Sequence, residues 1–496
     1  MSNIYDVAII GGGVNGCGIA RDLSLKGLKV YLCEAGDIGG ATSASSTKLI
    51  HGGLRYLESY EFAMVRKSLI ERDNLLHIAP HIIWPLKFIL PHQPHLRPRW
   101  LIRMGLYVYD FLHPFGKLPK SRTLNLKKRY ENPLKADFKH AFIYTDCWAD
   151  DNRLVVLNAL SAQQKGATIR PHNACKNARS KGDTWHLTME DGSNIQAKAL
   201  VNAGGPWAHR VVASTIENAP KRKLKQVKGS HIVVKKRFSH PEGYIFQQPD
   251  GRIVFALPYE EDFTLIGTTD TPYNGNPRNA TCSKEEITYL CDAVNPYLRH
   301  EISTKDVVWT YAGVRPLLDS GEGNASKITR DYKVERVRVN GLPLVNIWGG
   351  KLTTYRKLAQ NVAIELATDF GPKLKKSVTE KYPLPGGDIT GADQKTYTDE
   401  LMATYPFLGL EMAKRYTRTY GTLSRNILKE ARTTSDLGQH FGADVYAVEL
   451  DYLMQNEWVT NVEEALFHRT KRGLVLSKEQ QRAVADYVEK QGKSRA

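Results

Sequence analysis

The chain has 496 residues, 42% hydrophobic and 24% charged, enough apolar material for two or three packed domains and too much for a disordered chain. Lys plus Arg outnumber Asp plus Glu by 69 to 52, a formal charge of +17 that points to an anionic substrate, an acidic membrane face or nucleic acid. The six cysteines form no CxxC pair, which argues against a disulfide framework or a zinc site. No apolar run approaches the ~18 residues of a membrane span, so membrane contact is expected to be peripheral. "MSNIYDVAIIGGG" lacks a basic leader, so a cytoplasmic protein is expected.

The opening "YDVAIIGGGVNGCGIARDLSLKGLKVYLCE" reads as strand, glycine turn, helix and second strand. Gly11, Gly13 and Gly16 stand in G-x-G-x-x-G spacing. The first permits the tight turn, the second lets backbone approach a pyrophosphate, and the third lets helix pack on strand. The pyrophosphate then sits on the helix N-terminus. Glu34 is placed to accept from a ribose hydroxyl, which favours FAD or NAD over NADP. No second fingerprint follows a later strand, so FAD is preferred.

Residues 56–79 show a helical pattern. Further on, 99–112 reads as an amphipathic helix with Arg99 and Arg103 among Trp100, Leu101, Met104, Val108 and Phe111, suited to a bilayer interface. The pattern alone fits a core helix equally well. "AKALVNAGGPWA" (197–208) suits a strand whose end presses backbone against a cofactor, although a plain strand-to-turn junction looks similar. "GRIVFALPYEEDFTLIGTTD" (251–270) predicts a hairpin turning at Glu260-Glu261-Asp262, and with "LKQVKGSHIVV" (224–234) an antiparallel sheet. "GGKLTTYRKLAQNVAIELA" (349–367) begins with glycines and continues as a helix with Leu358, Val362 and Leu366 on one face. It is no Walker loop, because positions 345 and 352 hold Val345 and Leu352. After "YPLPGGD" the sequence turns helical and charged; its "FHRTKRG" (467–473) suits either a solvated face or a contact to the main body.

Six stretches occur in order: "ATSASSTKLIHGGLRYLE", "KGSHIVV", "IGTTD", "GVRPL", "ITRDY" and "GGKLTTYRKLA". Together they closely resemble the FAD-dependent, quinone-linked glycerol-3-phosphate dehydrogenases of the aerobic bacterial type, from the opening strand to about residue 475. The resemblance implies an α/β fold with a Rossmann-like FAD-binding domain of the glycine-oxidase and glutathione-reductase type. That domain is expected to comprise 1–80, 145–220 and 330–385. An antiparallel-sheet substrate domain takes 81–144 and 221–329, and a helical C-terminal domain takes 389–496. Two departures are Thr47 within the serine-rich loop and Gly205 before Pro206-Trp207, where relatives commonly carry threonine. No D-x-D-x-D-G calcium loop occurs.

The implied activity is oxidation of sn-glycerol 3-phosphate to dihydroxyacetone phosphate, with electrons passed to membrane quinone. Arg55 and Arg330 resemble the substrate-phosphate ligands, with Thr268 and Lys351 beside them. A dianion calls for several fixed cations, and arginine offers paired planar donors; taken alone, Arg55 is better read as a surface partner of Glu58, and the surrounding motif reverses this. Gly11, Gly13, Asn15, Gly16, Glu34, Thr42, Ser43, Ser46, Lys48, Leu49, His51, Gly204, Trp207, Gly350, Lys351, Leu352 and Thr353 are expected to hold FAD. The helix start after Gly350, with Lys351, is placed to stabilise charge on the reduced flavin pyrimidine. Oxidising a secondary alcohol needs a proton acceptor, which a neutral imidazole supplies, so His231 is the candidate base and Arg315 polarises the substrate oxygen. His231 otherwise reads as a half-buried strand histidine. No metal is expected. The rivals are an oxidase using oxygen and an oxidase of amino or hydroxy acids; no RNA-binding motif supports nucleic acid as a partner. The expected location is the inner face of the cell membrane, and the sequence leaves a homodimer open.

Overall fold

A computed structural model of the chain describes residues 4–93, 97–129, 131–220, 222, 224–318 and 331–493. Its first sheet runs in the order Lys333–Val339, Leu342–Trp348, Asn194–Asn202, Ile4–Ile10, Val30–Cys33, Thr168–Arg170. The five strands from Leu342–Trp348 to Thr168–Arg170 are parallel. Such strands are covered on both faces and so read as unbroken apolar runs. Val7, Ile9, Val30, Leu32 and Val201 pack against the helices Val14–Leu25, Asp151–Gln164 and Tyr355–Phe370. Their neighbours Ala8, Ile10, Tyr31 and Leu200 face Trp185 and Leu187 of a hairpin formed by Cys175–Lys181 and Thr184–Met189.

The second sheet has ten strands, with Leu224–Lys235 near one edge between Phe263–Gly267 and Val307–Leu318. The hairpin expected at 251–270 forms from Ile253–Tyr259 and Phe263–Gly267, with Glu260 and Glu261 at φ 43° and 62° in its turn. One pairing departs from the antiparallel expectation. Gly243–Gln247 lies parallel to Ile83–Pro91, two segments so far apart in sequence that no hairpin fixes their sense. The strand His140–Ala149 runs entirely in this sheet, and the first sheet's helices resume at Asp151. Residues 145–149 therefore pair within the second sheet, while Cys147 and Ala149 are buried in the first sheet's core cluster; an apolar run shows that a strand exists but not which sheet it joins.

The C-terminal part holds the helices Gln394–Thr404, Leu410–Tyr420, Ala447–Asn456 and Lys478–Lys493, with one short strand pair, His440–Gly442 and Val445–Tyr446. It shares a hydrophobic core with the first sheet's helices: Leu401, Tyr416, Tyr420 and Leu453 belong to the same buried cluster as Leu358 and Leu366. Buried charges pin the contact. Arg153 pairs with Glu457, and Arg469 reaches Asp37 at 2.6 Å, with all three partners on the helical and Arg153 side fully buried. Burial alone would raise the Asp37 carboxyl, but Arg469 and then His468 hold it well below its ordinary value.

Candidate active site

A cavity of about 1370 Å³ lies between the two sheets. Gly11, Gly13 and Glu34 line one end. Gly11 has φ 114°, and a Cβ there would stand 2.5 Å from the Ala203 carbonyl oxygen; a Cβ on Gly16 would stand 1.8 Å from that of Gly11. The end of the strand Asn194–Asn202 thus presses backbone on the glycine turn. The Glu34 carboxylate accepts from the backbone N–H groups of Gly12 (2.7 Å) and Gly36 (2.9 Å). Asn15, on the first helical turn, donates to the Gly349 carbonyl at 3.2 Å, while its own amide oxygen is buried without a partner among the described residues. Glycines with no room for a side chain, an acid at the strand end and an orphaned amide oxygen at the helix start fit a dinucleotide.

The loop 42–53 forms the wall beside this end. Thr42 donates to the Val314 carbonyl at 2.8 Å, Ser43 accepts from Val14 N–H at 3.0 Å, and Ser46 donates to Asp151 through both N–H and hydroxyl. Lys48 has φ 60° and is 2% exposed; its Nζ lies 2.6 Å from Asp151 Oδ1. It lies outside the cavity lining, so its charge braces the loop from behind. Leu49 pairs with Trp148 in the second sheet, and His51 N–H donates to Thr353 Oγ1 at 3.3 Å. Behind the loop, Gly52 N–H donates to the Tyr109 hydroxyl, which donates to Asp146, itself paired with Arg72 at 2.9 Å.

The second sheet supplies the opposite wall. His231 is 2% exposed, lies parallel to the Tyr311 ring at 4.7 Å, and has Nε2 3.0 Å from Thr47 Oγ1. A Cβ on its strand partner Gly267 would stand 2.1 Å from the imidazole, so that glycine makes the ring's space. Burial first, then the charges of Lys48 and Arg315, push the imidazole down to about 3, which keeps it neutral. Arg315 points along the same wall and pairs with Asp270 at 2.8 Å, while Thr268 donates to the Thr269 carbonyl.

Arg55, in the turn Leu54–Ser59, also lines the cavity. Glu58 pairs with Arg97 at 3.7 Å, so the surface pair read from sequence does not account for Arg55. Lys351 lines the cavity too, its Nζ 4.0 Å over the Tyr56 ring. Gly350 (φ 115°) approaches Asn15, and Leu352 and Thr353 open the turn that feeds the helix Tyr355–Phe370, so that helix start faces the cavity. Gly204 and Trp207 border it, with Trp207 Nε1 donating to Asn276 at 3.2 Å. Arg330 lies outside the described residues. Thr47, Asp151, Tyr311 and the Tyr109–Asp146 pair belong to no motif that marks them as part of the site. The acidic "WADDN" before a helix was the one visible signal, since cross-chain pairing leaves no local pattern.

Residues 6–356 match the family described as FAD dependent oxidoreductase, and 377–493 match the C-terminal domain of alpha-glycerophosphate oxidase. The glycerol-3-phosphate dehydrogenase of Pseudomonas aeruginosa is 46% identical over 99% of this chain and 96% of its own. The D-erythritol 1-phosphate dehydrogenase of Brucella abortus is 42% identical over 98% and 97%. In fold the chain is similar to a solved glycerol-3-phosphate dehydrogenase of Bacillus halodurans complexed with FAD, with TM-score 0.74, 24% identity and coverage of 99% and 95%. The chain belongs to the FAD-dependent oxidoreductase family, on the branch of the glycerol-3-phosphate dehydrogenases. FAD is its cofactor.

Proposed function

We infer that the chain oxidises sn-glycerol 3-phosphate to dihydroxyacetone phosphate and passes the electrons to membrane quinone. Bound FAD supplies the hydride acceptor. Gly11, Gly13, Asn15 and Glu34 would hold its dinucleotide part, and Thr42, Ser43, Ser46, Leu49, His51, Gly204, Trp207, Gly350, Leu352 and Thr353 the remainder. The observation that carries the reading is the convergence of Arg55, Arg315 and Lys351 with a buried neutral His231 on one cavity. A dianionic phosphate accounts for Arg55 and Lys351, while Arg315 would polarise the substrate oxygen and the imidazole would take the hydroxyl proton. Arg330 belongs to the same assignment as a second phosphate ligand, and Thr268 to substrate placement. A four-carbon polyol phosphate is the second reading, favoured by the Brucella relative.

Arg55→Met is expected to raise the glycerol 3-phosphate concentration for half-maximal anaerobic bleaching of the flavin roughly 10- to 100-fold, as loss of about 1.5–3 kcal/mol from a charged hydrogen bond requires. An unchanged concentration would remove Arg55 from the phosphate site.

Membrane contact is assigned to the helix Arg99–Phe111. Trp100, Met104, Tyr107 and Phe111 are each more than half exposed, Phe115 is 91% exposed, and Arg97, Arg99 and Arg103 lie among them. Leu101, Met104 and Val108 also line the cavity, which places its mouth beside the apolar face and gives a quinone a route from the bilayer. Among the described residues no helix is long and apolar enough to cross a membrane. The double variant Trp100→Glu, Phe115→Glu is expected to lose most cosedimentation with phosphatidylglycerol-containing vesicles; wild-type cosedimentation would rule this face out.

A further inference from the structure

The candidate base borders the cavity, but its Nε2 is turned toward a neighbouring hydroxyl. His231 is 2% exposed, held flat between the Tyr311 ring and the bare backbone of Gly267. Its Nδ1 is buried and has no partner among the described residues. Its Nε2 faces Thr47 Oγ1 at 3.0 Å. Thr47 is half-buried and lines the cavity, so in this pair the hydroxyl is the more accessible member.

The loop around Thr47 is fixed on both sides. Ser46 donates twice to Asp151, Lys48 is paired with the same carboxylate, and the Tyr311 hydroxyl donates to the Ser46 carbonyl at 2.8 Å. Tyr311 is also the ring on which His231 stacks. The residue that orients the imidazole plane therefore also anchors the loop that presents the hydroxyl. Ring stacking sets the plane but no direction within it; the Thr47 contact sets that direction.

We propose that Thr47 is a catalytic residue whose hydroxyl relays the substrate's proton to His231. The inference rests on His231 being the proton acceptor. In the step, the substrate hydroxyl gives its proton to Thr47 Oγ1 as the Thr47 proton moves to His231 Nε2. The carbon–hydrogen bond would break at the same carbon, its hydrogen and electron pair leaving to the hydride acceptor that bound FAD would supply, and the carbonyl would form. His231 must carry its resting hydrogen on Nδ1. A hydroxyl is suited to this, being donor and acceptor at once.

Thr47→Val keeps the shape and removes the hydroxyl. It is expected to slow anaerobic flavin reduction by glycerol 3-phosphate roughly 10²-fold, within the range for lost proton transfer, while the bound-flavin spectrum and half-saturating substrate concentration stay as in wild type. Thr47→Ser should restore most of the rate, and the pair Thr47→Val, His231→Ala should be no slower than His231→Ala alone. A wild-type rate in Thr47→Val beside a slow His231→Ala overturns the relay and leaves the histidine assignment standing. Wild-type rates in both overturn the two together. A slow Thr47→Val with a much raised substrate requirement and no recovery in Thr47→Ser makes Thr47 a structural residue and overturns the relay. A proton inventory of flavin reduction in the unmodified holoenzyme needs no variant: two protons in flight bend the plot of rate against deuterium fraction, and a straight line contradicts the proposal.

Discussion

Replacing His231 with alanine is expected to slow flavin reduction by glycerol 3-phosphate roughly 10²- to 10⁴-fold, the range measured for loss of a general base. Stopped-flow bleaching of the flavin reads the step directly. The effect is large because neither Lys48, paired with Asp151, nor Arg315, a cation, can take the proton in its place. The wild-type profile should lack an inflection near the ordinary imidazole value of 6.5, since burial, Lys48 and Arg315 push this ring down to about 3. Folding lowers the imidazole value, so between about 6.5 and 3 the unfolded chain binds a proton the folded chain refuses. Stability contributed by the neutral ring is complete above 6.5 and lost as pH falls toward 3. An unchanged reduction rate in His231→Ala removes the ring from the chemistry.

The second large effect is structural. Arg469→Ala is expected to destabilise the folded protein by about 3–5 kcal/mol, the cost of stranding buried charge. Arg469 donates to both Asp37 oxygens, at 2.6 and 2.8 Å, and to the Glu457 carbonyl and Asn152. It is fully buried, as are Glu457 and Arg153 beside it. Asp37 also lines the cavity near Glu34, so the loss should carry over to FAD retention. Denaturant unfolding followed with the flavin signal checks both; wild-type stability would mean that the helical part does not depend on this contact.

The nucleotide half was the most legible part of the fold, because its constraints are local. Gly11 and Gly16 are demanded by backbone contacts under 3 Å, and the parallel strands carry unbroken apolar runs. The hairpin at Glu260-Glu261 was legible for the same reason, a turn signal between two β-rich runs. The basic segment 467–473 was not, since a buried Arg469 bonded to Asp37 and a solvated arginine look alike in sequence. Lys48 shows the same limit. Its motif placed it against the flavin, yet its charge is held by Asp151, about a hundred residues along the chain. The amphipathic pattern of 99–112 fitted core and surface alike; exposure of Trp100, Met104, Tyr107 and Phe111 separates the two. The Thr47 contact to His231 crosses from loop to sheet and could not be read from either segment.

The most direct test of the account is the visible spectrum of the purified protein under anaerobic conditions, before and after glycerol 3-phosphate is added. The expected result is an oxidised-flavin spectrum that bleaches with glycerol 3-phosphate and is untouched by glycerol or glycine. A flavin that stays oxidised with glycerol 3-phosphate, or bleaches equally with glycerol, would contradict the assignment of Arg55, Arg315 and Lys351 to a phosphate-bearing alcohol.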